Sequence, residues 1–236
     1  MSQANWYQSG NEGYETAQRK QQEAQQAYGP MRFWLKAGSS AKVTFLDTEG
    51  FYFSEHNLQR NGKWGNYYTC LKDFSECPLC EAGDRSGYVC AYTIIDHSEY
   101  QSTKTGRIIK NQKKLLVVRP QVMNKLARRK ESLDGNLQYG LFLFSRDSQQ
   151  ECSTGEDIEF IKRLSKDDIL KFKPRDGNVT DEEFLSPFNY MELFQPKSVD
   201  ELRQIAGQTP PVGASNFTHT AHNSHDVEEA SIDDLL

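Results

Sequence analysis

No apolar run in this 236-residue chain approaches the roughly 18 residues needed to cross a bilayer, and Met1-Ser-Gln-Ala-Asn-Trp-Tyr7 carries neither a basic n-region nor an apolar h-region. The expectation is a soluble protein that is not exported. Apolar residues are scarce: with Gly counted and Tyr left out they make up roughly 38%, against about 45–50% in average domains, so part of the chain should lie outside any packed core. The chain has no H-E-x-x-H pair, no Walker loop, no Gly-x-Ser-x-Gly elbow and no dinucleotide fingerprint. The commonest catalytic frameworks therefore have no anchor, and the expectation is a binding protein with no catalytic residues. Cysteines number five, an odd count, and three of them fall at metal spacing, which favours a reducing compartment over a disulfide framework.

What is present is unevenly distributed. Residues 1–30 hold 2 basic and 3 acidic side chains, residues 31–130 hold 17 and 9, and residues 131–236 hold 9 and 21. The net charge of −5 thus conceals a basic middle. Between residues 101 and 130 lie ten Lys or Arg and no Asp or Glu, among them Arg107, Lys110, Lys113, Lys114, Arg119, Arg128, Arg129 and Lys130. On a folded surface such a stretch makes a positive field suited to a polyanion.

Residues 1–30 are rich in Gln, Asn and Ser and read as a flexible arm, with a short polar helix over 15–28 stopped by Gly29-Pro30. Short alternating runs then predict strands at 31–35, 41–46, 51–53, 88–95, 115–118 and 137–144, punctuated by Glu-Gly, Asn-Gly and Thr-Gly turn signals. A basic helix is expected over 121–132, one more strand near 189–194 and a short helix at 199–205. Residues 207–236 read as a disordered linker and an acidic tail in which Asp226, Glu228, Glu229, Asp233, Asp234, Leu235 and Leu236 could dock a partner. Many short strands with one helix in the ordered stretch, residues 31–206, fit a mainly β fold such as the OB barrel, although composition alone does not separate that from a sandwich.

The densest chemistry lies between residues 56 and 80. Cys77-Pro-Leu-Cys80 lets two thiolates meet one metal from a single tight turn, and Cys70 supplies a third. His56 and Cys90 are the candidates for the fourth; Cys90 falls inside a strong strand pattern, which favours His56. Four such ligands describe a closed structural zinc site in a subdomain of about residues 54–85. Thirteen of the 27 aromatic residues fall between residues 31 and 100, interleaved with cations. Single-stranded nucleic acid needs that mixture, because phosphates require cations and unpaired bases require flat apolar faces. Arg60, Lys63, Trp64, Tyr67, Tyr68, Lys72, Phe74, Arg85, Tyr88 and Tyr92 are the candidates here, with Trp64, Tyr67 and Tyr68 read as part of a polar loop and Tyr88 and Tyr92 as a ladder on one strand face.

In order and nearly in spacing, His56, Asn61-Gly-Lys-Trp64, Cys70, Asp73, Phe74 and Cys77-Pro-Leu-Cys80 resemble the zinc-binding segment of the single-stranded DNA-binding, helix-destabilising proteins of T-even bacteriophages. Weaker similarity runs through Arg85-Ser86 and residues 88–95, and Ile232-Asp-Asp-Leu-Leu236 is similar to the family's acidic tail. The resemblance implies zinc on His56, Cys70, Cys77 and Cys80, an OB-fold core, and Phe74 and Tyr88 facing DNA. It further implies a protein of the infected host's cytoplasm that coats single strands in replication, recombination and repair and recruits other proteins through its tail. Where the family has a compact Lys-Arg-Lys-Ser-type motif for cooperative contact, this arm offers only Arg19-Lys20, which leaves self-association on DNA open. A zinc-containing RNA-binding regulator and a zinc-dependent nuclease are the alternative readings.

Overall fold

The computed structural model describes residues 10–11, 13–16, 30–60, 63–101, 106–174 and 179–208, leaving out the side chains of Arg60, Lys63 and Gln208. Most of the expected arm and nearly all of the expected linker and acidic tail, including all seven candidate partner-binding residues, lie outside the described residues. The elements in chain order are β1 (Ser39–Phe45), β2 (Phe51–Arg60), β3 (Lys63–Thr69), α1 (Pro78–Glu81), β4 (Gly87–Asp96), β5 (Tyr100–Gln101), β6 (Ile108–Ile109), β7 (Gln112–Val118), α2 (Pro120–Glu131), β8 (Gly140–Arg146) and β9 (Asp157–Arg163), followed by four short helices. Those are α3 (Lys166–Leu170), α4 (Asp181–Leu185), α5 (Tyr190–Leu193) and α6 (Val199–Gln208). The protein is mainly β with a few helices, as expected.

One antiparallel sheet carries seven strands in the order β3-β2-β4-β1-β8-β9, with β7 on the other edge of β4. The long strand β4 serves two partners along one edge: its first half pairs with β2, from Glu55 opposite Gly87 to Phe51 opposite Ala91, and its last three residues pair with β1. At the fork between them the Thr93 amide would lack an acceptor, and the Asp47 carboxylate, in the β1–β2 connection, fills the gap. Strand pairing does not close this sheet among the described residues. The extended segment 31–35 nevertheless bonds to β7 through Phe33 N to Leu115 O (2.8 Å) and Leu115 N to Met31 O (2.9 Å), and to the turn before β9 through Leu35 N to Ser153 O (2.7 Å).

The main core lies between the strands and α2. Phe33, Leu35, Val43, Phe45, Cys90, Tyr92, Ile94, Leu116, Val118, Phe142 and Phe144 meet Val122 and Leu126, which lie one helical turn apart on α2. Helix α2 starts with Pro120 at its first position and ends on Arg128, Arg129 and Lys130, both favourable to the helix dipole and its unpaired termini. Two smaller cores sit apart: one under α3 and α4 around Leu46, Ile95, Leu164, Ile169 and Phe184, the other around Leu58, Cys70, Leu71, Cys77, Leu79 and Leu202.

Three local expectations need correction. The stretch 189–194 forms helix α5 instead of a strand: Tyr190 and Phe194 are four apart, so both rings fall on one side and stack on Phe51 at 5.3 and 5.8 Å. Trp64, Tyr67 and Tyr68 lie on β3, paired with β2 (His56 opposite Tyr68, Asn57 opposite Tyr67), because β-forming aromatics beside a ready edge outweigh the polar residues between them. Residues 31–35 make a bridge and isolated bonds instead of a full strand.

The fork residue Asp47 makes a prediction. Burial raises its carboxyl from 3.8 to about 6 against the opposing pull of the Thr93 amide, the Tyr190 hydroxyl and Lys113. The folded state therefore binds this proton more tightly than the unfolded chain, so the stability it contributes is present at low pH and is lost as pH rises through about 6. Asp47→Asn should remove that slope. Thermal unfolding of variant and parent should diverge by roughly 2 kcal/mol on going from pH 4.5 to 7.5; parallel curves would contradict the assignment.

Candidate metal centre and nucleic-acid interface

His56 lies on β2, fully buried, on the face opposite Phe53 and Glu55. Cys70 follows β3 directly and is held by its amide to Ser54 O (2.8 Å), while Cys77 caps and Cys80 lies within the single turn of α1, where Pro78 sets the first helical position. The four ligating atoms lie within 4.8 Å of one another. Sγ of Cys70 is 3.8 Å from that of Cys77 and 3.6 Å from that of Cys80, and His56 Nε2 is 3.4 Å from Cys77 Sγ and 3.6 Å from Cys80 Sγ. A tetrahedron with metal–sulfur bonds of about 2.3 Å and a metal–nitrogen bond of about 2.0 Å has edges of about 3.8 Å between sulfurs and about 3.5 Å from sulfur to nitrogen. The cluster thus has the dimensions of a shell around a metal ion such as zinc.

Burial and mutual proximity shift His56, Cys77 and Cys80 in different directions. Burial pulls the His56 imidazole down, but hydrogen bonds to Asp84, Cys77 and Cys70 outweigh it and hold the group at about 9. Burial raises the Cys77 thiol, and the amides at Leu71 and Cys80 together with His56 bring it down to about 7; burial and the neighbouring Cys70 and Cys77 sulfurs push Cys80 up to about 12. Three sulfurs this close repel as thiolates, and a bound cation relieves that repulsion.

One residue of this centre escaped the sequence reading. Asp84 Oδ2 lies 2.5 Å from His56 Nδ1, so the carboxylate holds the ring with Nε2 aimed at the three sulfurs. Gly83, at φ +89°, turns the chain back from α1 to deliver it. The available signal was a carboxylate four residues after the last ligand. Asp84→Asn keeps the shape and loses the charge, and metal affinity measured by competition with a chelator is expected to fall 10- to 100-fold. Cys90 lies in the main core beside Tyr92, where burial pushes its thiol up to about 11, and takes no part in the cluster. His97 is bonded to Thr44 and Asn111 at 2.8 Å each.

The structure brings only some of the candidate nucleic-acid residues together. Tyr88 begins β4 and is 54% exposed; Tyr52, diagonally opposite on β2, is 53% exposed, and their rings stack at 6.2 Å and 18°. Ser54, opposite Tyr88, bonds Asp73 at 3.3 Å, so exposed Phe74 and Lys72 belong to the same neighbourhood. Arg85 precedes β4 at this end, Arg119 follows β7 beyond Val118, which lies opposite Cys90, and Lys130 reaches Glu49 (3.3 Å), three residues before Tyr52. Arg128 and Arg129 are exposed on the same last turn of α2.

The other candidates lie elsewhere. Tyr92 shares the face of Tyr88 but is buried against Phe45 at 5.3 Å, so the expected Tyr88–Tyr92 ladder is replaced by the Tyr52–Tyr88 pair. Tyr52 was missed because the expected strand ended at residue 53 and gave no cross-strand register. Gly50 accommodates this arrangement, since a Cβ there would collide with Cys90 Sγ and the Tyr92 ring. Tyr68 packs into the small core around the cluster, Trp64 is half-buried on β3, and Tyr67 faces the other side with the Arg32 guanidinium 3.4 Å above its ring. Arg60 and Lys63 end β2 and begin β3 with side chains outside the described set. Lys114, opposite Ile94, lies six residues or roughly 20 Å along β4 from Tyr88. It is paired with Asp96 at 3.0 Å, Lys113 bonds Glu183 O at 2.8 Å, and Lys110 meets Glu99 at 3.5 Å, with Arg107 beyond them just before β6. The basic stretch is therefore divided between two ends of the sheet.

Comparison with protein-family models finds none that matches the chain, and comparison with curated proteins finds no match either.

Proposed function

We propose that the protein binds single-stranded DNA without sequence preference, through a surface built around Tyr52, Phe74 and Tyr88 with Lys72, Arg85, Arg119 and Lys130 beside them. The observation that carries this reading is the exposed Tyr52–Tyr88 stack: flat apolar rings kept in water, at the end of the sheet where Arg85 and Arg119 lie, suit unpaired bases. In this reading the curled sheet, with segment 31–35 against β7, is an OB-type barrel, and the cluster holds zinc. Four protein ligands complete a tetrahedral shell, leaving no place for a reacting water, so the zinc shapes a DNA-facing lobe and no bond is made or broken. The protein then works as the helix-destabilising proteins of T-even phages do, coating and protecting strands exposed in replication, recombination and repair in the infected host's cytoplasm, with its acidic C-terminal residues engaging partners.

Titration of intrinsic fluorescence with oligo-dT, with an RNA of the same length and with duplex DNA tests the reading. Oligo-dT is expected to bind tightest, with log affinity falling against log salt by about 0.7 for each phosphate contacted. Labelled oligonucleotide should stay intact on long incubation with zinc or magnesium. Preference for RNA would turn the reading to the regulator, cleavage to the nuclease, and no affinity for any of the three would remove nucleic acid from the surface.

A further inference from the structure

Residues 179–208 form a strap with two unlike anchorages. The first is on the sheet: Phe188 N bonds Thr93 Oγ1 (2.9 Å), the Tyr190 hydroxyl donates to Asp47 (2.9 Å), and Phe194 packs 4.2 Å from Phe53 and accepts at its carbonyl from Thr69 Oγ1 (2.8 Å). None of these contacts involves a ligand of the cluster. The second is helix α6, capped by Ser198, whose side chain receives the Glu201 amide at 3.3 Å. Its apolar stripe, Val199, Leu202, Ile205 and Ala206, recurs at helical spacing and packs on Leu58, Cys70, Leu71, Cys77 and Leu79. Leu202 is wholly buried there. Two of the five residues under the stripe are ligands of the cluster, and two more lie directly beside a ligand.

A ten-residue helix does not hold its shape in water alone, so α6 is ordered by what it packs on. What it packs on is a loop whose own apolar content is small and whose order a metal would supply. Thermodynamic linkage makes this reciprocal: if metal favours the docked helix, the docked helix favours the metal by the same factor. Resting on the reading of the cluster as a metal centre, we propose that α6 is a metal-dependent clasp, docked when the centre is filled and released when it is empty, which also retards loss of the metal. The 28 residues after Gln208 leave from the end of this helix, so the metal sets where the acidic terminal segment starts.

The test uses the full chain, zinc-loaded and after removal of zinc by a chelator, with amide hydrogen exchange followed by peptide. Exchange across residues 199–208 is expected to rise on removal to that of an unprotected segment, while residues 184–190, anchored on Thr93 and Asp47, keep their protection. Leu202→Ala, checked for intact main-core folding by its protection in β4 and β8, should lose zinc to a chromogenic chelator at least about fivefold faster than the parent. Protein that holds zinc but exchanges equally across 199–208 in both states, or a Leu202→Ala chain that loses zinc at the parent rate, overturns the clasp while leaving the metal centre standing. A purified chain that binds no metal at all overturns both.

Discussion

Cys77→Ser or Cys80→Ser is expected to yield protein with no tightly held metal and with residues 54–84 unfolded, while the main core persists. Structural zinc contributes about 10–16 kcal/mol of apparent folding free energy in small metal domains at neutral pH, and a hydroxyl in place of one thiolate forfeits most of it. The core around the centre cannot make up such a loss, since it buries six residues, two of them ligands. None of the six belongs to the main core, so the damage should stay local. Cys90→Ser is the contrasting variant: one metal per chain should remain, with a stability cost of roughly 1–3 kcal/mol from a hydroxyl set among apolar side chains. Metal analysis and hydrogen exchange distinguish the two; zinc retained in His56→Ala but lost in Cys90→Ser would overturn the ligand assignment.

The second large effect concerns the exposed rings. Tyr52→Ala, Phe74→Ala and Tyr88→Ala should each weaken oligo-dT binding by roughly 1–3 kcal/mol, a factor of about 5 to 150, with the salt slope almost unchanged because stacking releases no counterion. Reversing Arg119 or Lys130 should do the opposite, reducing the slope by about 0.7 for each contact removed and costing less at high salt. Two controls separate contact from damage. Tyr92→Ala should cost stability, its ring being packed on Phe45, and Lys114→Glu should disturb the pair with Asp96 without altering the slope. An oligo-dT affinity insensitive to all three ring deletions would sink the proposed surface.

The clustering of His56, Cys70, Cys77 and Cys80 was legible because its geometry is largely local: a tight turn fixes Cys77 and Cys80, and three sulfurs close in sequence leave few ways to complete a tetrahedron. The main strands were legible for the same reason, alternation being visible in a window of a few residues. What escaped depends on register. Whether Tyr88 stacks on Tyr52 or on Tyr92 is decided by which residues of β2 oppose β4, and by the main core, which covers Tyr92 and stops short of Tyr88. The division of the basic stretch has the same origin, since Lys113 and Arg119 are six residues apart in sequence and lie toward opposite ends of β7. The role of α6 could not be read because its apolar stripe names no partner; only the folded chain brings Leu202 onto Cys70 and Cys77.

Glu55 and Gly87 face each other across the last rung between β2 and β4, beyond which β2 runs on paired with β3 alone. Everything between them, including all four ligands and Asp84, is an excursion of 31 residues from one closed pair. Closing such an excursion costs entropy that grows only with the logarithm of its length, about 0.6 kcal/mol per doubling, so the remaining sheet is almost indifferent to how long it is. The metal lobe is in that sense a cassette: its length, charge and side chains can drift, or be exchanged for another surface, without renegotiating the registers of β1, β4 and β8.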